Sequence, residues 1–246
     1  MPVAENYSKW YSPNLDQETQ MMSFGEGGVP LILFPTSMGG YNQNIDFGLV
    51  GAIYPFIAAG KVKVYCVDGI DKQSFYAYDI HPAHRIHNHI CYDRMILEEV
   101  LGRAYDETGH TRVMVGGCSF GGYHAVNFGF RHPDRVREII SMGGAFDIKQ
   151  FFYGYYSDDV YFNNPVDYMS NMHDPELLKQ FHRMGIILGT GHEDICRQDN
   201  HRLADILGRK GIPHWCDDRP GTGHDWPWWR VMLFEYLDLI VRRMDD

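Results

Sequence analysis

The chain has 246 residues, 44% of them hydrophobic and 22% charged, enough apolar surface for a sizeable core and too much for a disordered chain. Its 32 acidic residues outnumber 22 Lys and Arg, and the formal charge of −10 works against binding to a phosphate backbone. No basic-plus-apolar leader and no run near the roughly 18 apolar residues of a membrane span occurs, so the expectation is a cytoplasmic protein with neither nucleic-acid nor membrane partners.

In chain order, Thr19 to Phe24 reads as an antiparallel edge strand. Apolar runs of strand length then recur at Leu31–Phe34, Val62–Val67, Val113–Gly116, Glu138–Met142, Ile186–Gly189 and His214–Asp217. Helical spacing lies between them: Ile86, Ile90, Leu97 and Leu101, then Leu203, Ile206 and Leu207, and finally Val231, Phe234, Leu237, Ile240 and Val241. Strand and helix in alternation predict right-handed crossovers and a mostly parallel sheet with helices on both faces, a single α/β domain over 1–246. One stretch breaks the rhythm. From about 147 to 184 an aromatic-rich insertion, including Phe151-Phe-Tyr-Gly-Tyr-Tyr156, separates two strands and reads either as a small cap or as extra helices packed on the body.

The most informative string is Val113-Met-Val-Gly-Gly-Cys-Ser-Phe-Gly-Gly122, in which a strand runs through G-x-S-x-G into a helix. A serine on so sharp a turn has a strained backbone, and glycines at 117 and 121 remove the collisions that side chains would make there. Ser119 is therefore the candidate nucleophile. Cys118 beside it should point away from the apex and pack in the core. The helix that follows aims backbone N–H groups at the place where an oxyanion would form, and the N–H of Phe120 is the first donor expected.

A serine hydroxyl needs a base, and the base needs an orienting carboxylate. His224 lies in Pro220-Gly-Thr-Gly-His-Asp-Trp-Pro-Trp-Trp229, after the last expected strand and before the last helix, and is the candidate base; His201 and His214 fall within a helix and a strand. Asp194, at the boundary between the loop Thr190-Gly-His-Glu-Asp-Ile195 and a helix, is the expected acid, with Glu193 as the alternative. The second oxyanion donor should come from Pro35-Thr-Ser-Met-Gly-Gly40. Met38 is expected to provide it and Ser37 is the alternative.

These residues resemble the esterase-D-type branch of the α/β-hydrolases from about Val29 to Arg242. Thr36-Ser-Met-Gly-Gly40 stands at the family's oxyanion loop, although Pro-Thr-Ser replaces the His-Gly pair of many relatives. Gly117 to Gly121 is the elbow, Gly191-His-Glu-Asp194 resembles the acid loop, and Pro220 to Trp229 resembles the Pro-Gly-x-His-x-Trp-x-x-Trp ending. The closest resemblance is to compact bacterial members that combine Phe34-Pro-Thr-Ser37, Cys66-Val-Asp68, Gly117-Cys-Ser-Phe-Gly121 and His224-Asp-Trp-Pro-Trp228. What the resemblance implies is the α/β-hydrolase fold and serine-hydrolase chemistry, with no substrate specified.

Remaining signals are weaker. His81-Pro-Ala-His-Arg-Ile-His-Asn-His89 lacks an acidic or thiol partner in a metal-ligand pattern and reads as rim or helix-entry residues. Five cysteines, scattered and without a C-x-x-C pair, read as reduced thiols. Asp71-Lys-Gln-Ser-Phe-Tyr76 falls at the strand-end face of the elbow, so Tyr76, with Ser37 and Trp226, is a candidate substrate contact. The expectation is a serine esterase acting on small carboxylic esters or thioesters through an acyl-enzyme, with no cofactor and no metal; a homo-oligomer is compatible with the sequence. An acyltransferase with the same triad, or a binding protein on the same fold, is the alternative. Because the base must be neutral, kcat/KM should rise across roughly pH 6 to 7.5.

Overall fold

The computed structural model describes residues 3–245. Eight strands form one sheet: β1 (Glu5–Ser12), β2 (Gln17–Phe24), β3 (Val29–Phe34), β4 (Val62–Val67), β5 (Val113–Cys118), β6 (Val136–Met142), β7 (Gly185–Glu193) and β8 (Trp215–Gly223). Their spatial order is β1-β2-β4-β3-β5-β6-β7-β8. The hairpin β1–β2 pairs antiparallel with β4, and every later pairing is parallel.

The inner strands are apolar on both faces because both faces are covered. Ile32, Phe34, Val113, Val115, Ile139 and Leu188 point into one core, under the helices Pro82–Met95, Phe120–Arg131 and Arg197–Arg209. Leu31, Leu33, Val64, Met114, Ile140 and Ile187 point into the other, under the short helices of 49–58 and the long Trp226–Asp245 helix. Adjacent residues thus alternate between two cores. No helix among the described residues is long and apolar enough to cross a membrane.

The structure departs from the expected elements at three places. Thr19 to Phe24 belongs to an antiparallel strand, as expected, but β1 lies outside it and takes the edge. The polar run Glu5-Asn-Tyr-Ser-Lys-Trp-Tyr-Ser12 carries no apolar signal because most of its side chains face solvent. The last two strands outrun their apolar cores: β7 continues to Glu193 and β8 to Gly223, where Glu193 pairs with Gly223 across a register shift. His224 therefore leaves a strand end rather than a glycine loop. The helix from Pro82 also passes through a π-helical stretch, Ile96–Val100, before Leu101–Thr108, which shifts its apolar stripe by one residue.

Between β6 and β7 lie four short helical turns, Ile148–Phe152, Asp158–Tyr161, Pro165–Tyr168 and Pro175–Phe181. Phe151 and Phe152 are buried with Phe75, Phe120 and Tyr123 in a third, smaller core, while Tyr153, Tyr156 and Phe162 are exposed. The insertion thus packs part of its aromatic content directly onto the elbow helix.

Candidate active site

Ser119 sits between β5 and the helix Phe120–Arg131 with φ 53° and ψ −123°, a conformation an L-residue adopts only under strain. The turn is so tight that a Cβ on Gly117 would lie 2.5 Å from the backbone of Gly121, and one on Gly121 would lie 2.6 Å from the Pro35 carbonyl oxygen. Only hydrogen fits at either position. The second contact also seats the elbow against the chain leaving β3, which brings the Thr36–Gly40 loop beside the serine. Cys118 is buried in the core on the helix Trp226–Asp245 side, and burial pushes its thiol well above the usual range.

Parallel strand ends bring up the other groups. His224 Nε2 lies 2.9 Å from Ser119 Oγ, and His224 Nδ1 lies 2.8 Å from Asp194 Oδ1. Asp194 is buried, and its Oδ1 also accepts the N–H of Cys196 at 2.7 Å. Trp229 meets the His224 ring edge to face, with centroids 4.9 Å apart. Below the pair is Gly143, at φ 61°, where a Cβ would lie 2.7 Å from Asp194 Oδ2 and 3.0 Å from His224 Nδ1. The neighbouring Glu193 is exposed at the end of β7. In this arrangement a carboxylate fixes the imidazole through Nδ1 and leaves Nε2 facing a hydroxyl, which is the geometry for drawing a proton from that hydroxyl.

The chain as a whole is similar to known proteins. The family model described as "Putative esterase" matches residues 39–240. The chain belongs to this esterase family. The fold of the esterase is that of a ferulic acid esterase (17% identity, 98% of each chain, TM-score 0.78) and of an S-formylglutathione hydrolase from Agrobacterium tumefaciens (11% identity, 99% of each chain, TM-score 0.76). An S-formylglutathione hydrolase from Staphylococcus aureus is also similar, at 16% identity over 98% of this chain and all of that one, with a TM-score of 0.67. No curated protein matches the esterase.

The remaining expected residues gather around the Thr36–Gly40 loop or behind His224. The Tyr76 hydroxyl donates to Ser37 Oγ at 3.0 Å, and its ring is edge-on to Phe151 with centroids 5.2 Å apart. Trp226 stacks on Phe47 with centroids 4.7 Å apart and meets Trp229 edge-on, so much of its surface is spent on packing. Met38, at φ 56°, gives its N–H to Asp71 Oδ2 at 3.0 Å. The N–H groups of Thr36, Gly39 and Tyr41 are also engaged, by Gln43 Oε1, the Thr36 carbonyl and Asp68 Oδ1. Neither Ser37 N–H nor Phe120 N–H has a hydrogen-bond partner among the described residues.

Two residues without a local motif complete the surroundings. Asp71, 2% exposed, has its second oxygen 3.0 Å from Nε2 of buried His124, on the helix that begins at the elbow. Asp194, Cys196 and His224 are the one trio of His, Cys and acidic groups among the described residues whose ligand atoms fall within 4.8 Å of one another. The carboxylate and imidazole are spent on each other, and burial, with Asp194 and Asp199 nearby, pushes the Cys196 thiol up to about 12, so it stays protonated at neutral pH. In the histidine tract, His81 caps its helix by accepting the Ala83 N–H at 3.2 Å, and His89 is buried.

Proposed function

We propose that the esterase cleaves carboxylic esters of small molecules through an acyl-enzyme formed on Ser119. The observation that carries this reading is the chain of contacts from Ser119 Oγ to His224 Nε2 at 2.9 Å and from His224 Nδ1 to Asp194 Oδ1 at 2.8 Å, set on a strained elbow. His224 takes the hydroxyl proton as Ser119 attacks the ester carbonyl, and the proton then passes to the leaving alcohol as the tetrahedral intermediate collapses. Water, deprotonated by the same imidazole, releases the acid. Asp194 holds the ring in the Nδ1–H tautomer and stabilises the imidazolium.

The oxyanion needs two N–H donors without other duties. Phe120 supplies one from the first turn of its helix. Met38 was the expected second donor, but its N–H is given to Asp71, so we assign the second role to the alternative, Ser37, whose N–H has no partner among the described residues. Tyr76, through its hydroxyl on Ser37 Oγ, and Trp226, behind His224, are the side chains we assign to substrate contact.

The test is a panel of p-nitrophenyl esters, hydroxycinnamoyl esters and S-acylglutathione thioesters, run on wild type and Ser119→Ala. Activity should fall by about 10⁴-fold or more in the variant, and a fluorophosphonate should label wild type at Ser119 alone. A wild type that neither turns over any ester nor takes the label overturns the reading in favour of a binding protein. New esters formed when acceptor alcohols are added would identify acyl transfer.

A further inference from the structure

The tight turn that carries Asp194 also brings a thiol to the acid–base pair. The Asp194 N–H donates to the Gly191 carbonyl at 3.0 Å, and Asp194 Oδ1 accepts the Cys196 N–H at 2.7 Å, so the chain folds back on the carboxylate just before the helix Arg197–Arg209. Cys196 is only partly buried, and Ile195 beside it is 83% exposed, which puts the turn at the surface. One ligand atom from each of Asp194, Cys196 and His224 lies within 4.8 Å of the other two. The reaction at Ser119 uses the carboxylate and the imidazole and has no task for the thiol.

Carboxylate, thiolate and imidazole are together the ligand types of zinc. A tetrahedral zinc ion sets its ligand atoms roughly 3.3 to 3.6 Å apart, so the thiol has to move in by no more than about 1.5 Å. The Asp194 Oδ1–His224 Nδ1 contact, at 2.8 Å, would open by about half an ångström. Charge favours the same ion. Two anionic ligands cancel its two positive charges, and the complex is neutral around a carboxylate that is 1% exposed. Water takes the fourth position.

We infer that Asp194, Cys196 and His224 Nδ1 form a zinc site that switches the esterase off. This rests on the reading of His224 as the base of Ser119. The ion replaces the Asp194–His224 hydrogen bond and displaces two protons, one from the Cys196 thiol and one from Nδ1. Nε2 takes up one proton as the imidazole changes tautomer, so a single proton is released to solvent. Nε2 then turns an N–H toward Ser119 Oγ where a lone pair stood, and the hydroxyl has no base. A triad whose histidine is fixed in the wrong tautomer loses about 10⁴-fold in kcat.

Binding is measured first, on wild-type protein without substrate, using cadmium ion, whose bond to a thiolate absorbs in the ultraviolet. One equivalent should produce the band; Cys196→Ser should lose it, and His224→Gln should need at least about tenfold more cadmium. Cys91 and Cys216 are also partly buried thiols, so a band that survives in Cys196→Ser overturns the site, as does a titration that His224→Gln leaves unchanged. Activity is measured second. Buffered free zinc should suppress both ester turnover and fluorophosphonate labelling of wild type, and EDTA should restore them. With each protein scored against its own metal-free rate, half-inhibition of Cys196→Ser should require at least about 100-fold more zinc. Equal sensitivity of the two proteins, a loss that EDTA does not reverse, or cadmium and zinc bound with turnover intact overturns the switch. A wild type inactive on every ester would sink the esterase reading, while the cadmium titration would still decide the metal site.

Discussion

Two Asp–His pairs flank Ser119, and they differ in what their free atoms face. In Asp194–His224 the carboxylate is buried while the imidazole is partly open and turns Nε2 toward the Ser119 hydroxyl. In Asp71–His124 both side chains are buried, and the atom left over is a carboxylate oxygen that meets a backbone N–H. The same two residue types at nearly the same spacing, 2.8 and 3.0 Å, are suited to moving a proton in one place and to holding a peptide in the other. Surroundings, not composition, separate the roles.

The sharpest break in the comparison would come at the acid. Asp194→Asn should lower kcat/KM by on the order of 10³ or more, while Glu193→Gln, at an exposed strand end, should change it by less than about threefold. Comparable losses in both would mean that the acid partner of His224 is not assigned correctly. Next in size is Gly143→Ala. Its methyl would wedge into the Asp194–His224 contact and should cost about 10²-fold in kcat, the scale of a misplacement near 1 Å, with fluorophosphonate labelling slowed in parallel.

Acid should separate the two regions further. Near the open pair, the effect is on rate: kcat/KM should fall on acidification, because His224 must be neutral to accept the serine proton. Near the buried pair it is on stability. His89, its ring centroid 5.5 Å from that of His124, is held well below the usual histidine range by burial, with His124 and Arg131 adding to the effect. The folded state therefore refuses a proton that the unfolded chain takes up below about pH 6.5, and this contribution is constant above that pH and erodes below it by at most about 1.4 kcal/mol per pH unit. Urea midpoints at pH 7.0 and 5.5 should show the decline in wild type and a smaller one in His89→Gln. Identical pH slopes in the two proteins would remove His89 from the account.

The same contrast explains what could be read from sequence. The elbow, the Asp194 region and His224 sit in short strings whose spacing reflects one turn or one strand end, and the parallel sheet follows from apolar runs buried on both faces. Asp71 and His124 are 53 positions apart, each in an unremarkable local setting, and meet only because the crossover after β4 passes over the elbow helix. Met38 looked like a free donor because a loop sequence shows its N–H groups and not their acceptors. β1 was missed because a strand that pairs by backbone and faces water needs no apolar pattern. The extensions of β7 and β8 likewise carry no apolar run: His192 and Glu193 are exposed, and the buried members are Thr190, Gly191 and Thr222.

Those extensions also tie catalytic competence to the rim of the sheet. β8 is the terminal strand, with Thr222 its one fully buried residue, and its last pairing, Glu193 with Gly223, immediately precedes Asp194 and His224. Peeling this margin would part acid from base while both cores stayed intact. Warming should therefore silence the esterase reversibly some degrees before its main melting transition, as a fuse fails ahead of the circuit, and activity and near-UV circular dichroism followed on one sample would show whether the two events separate.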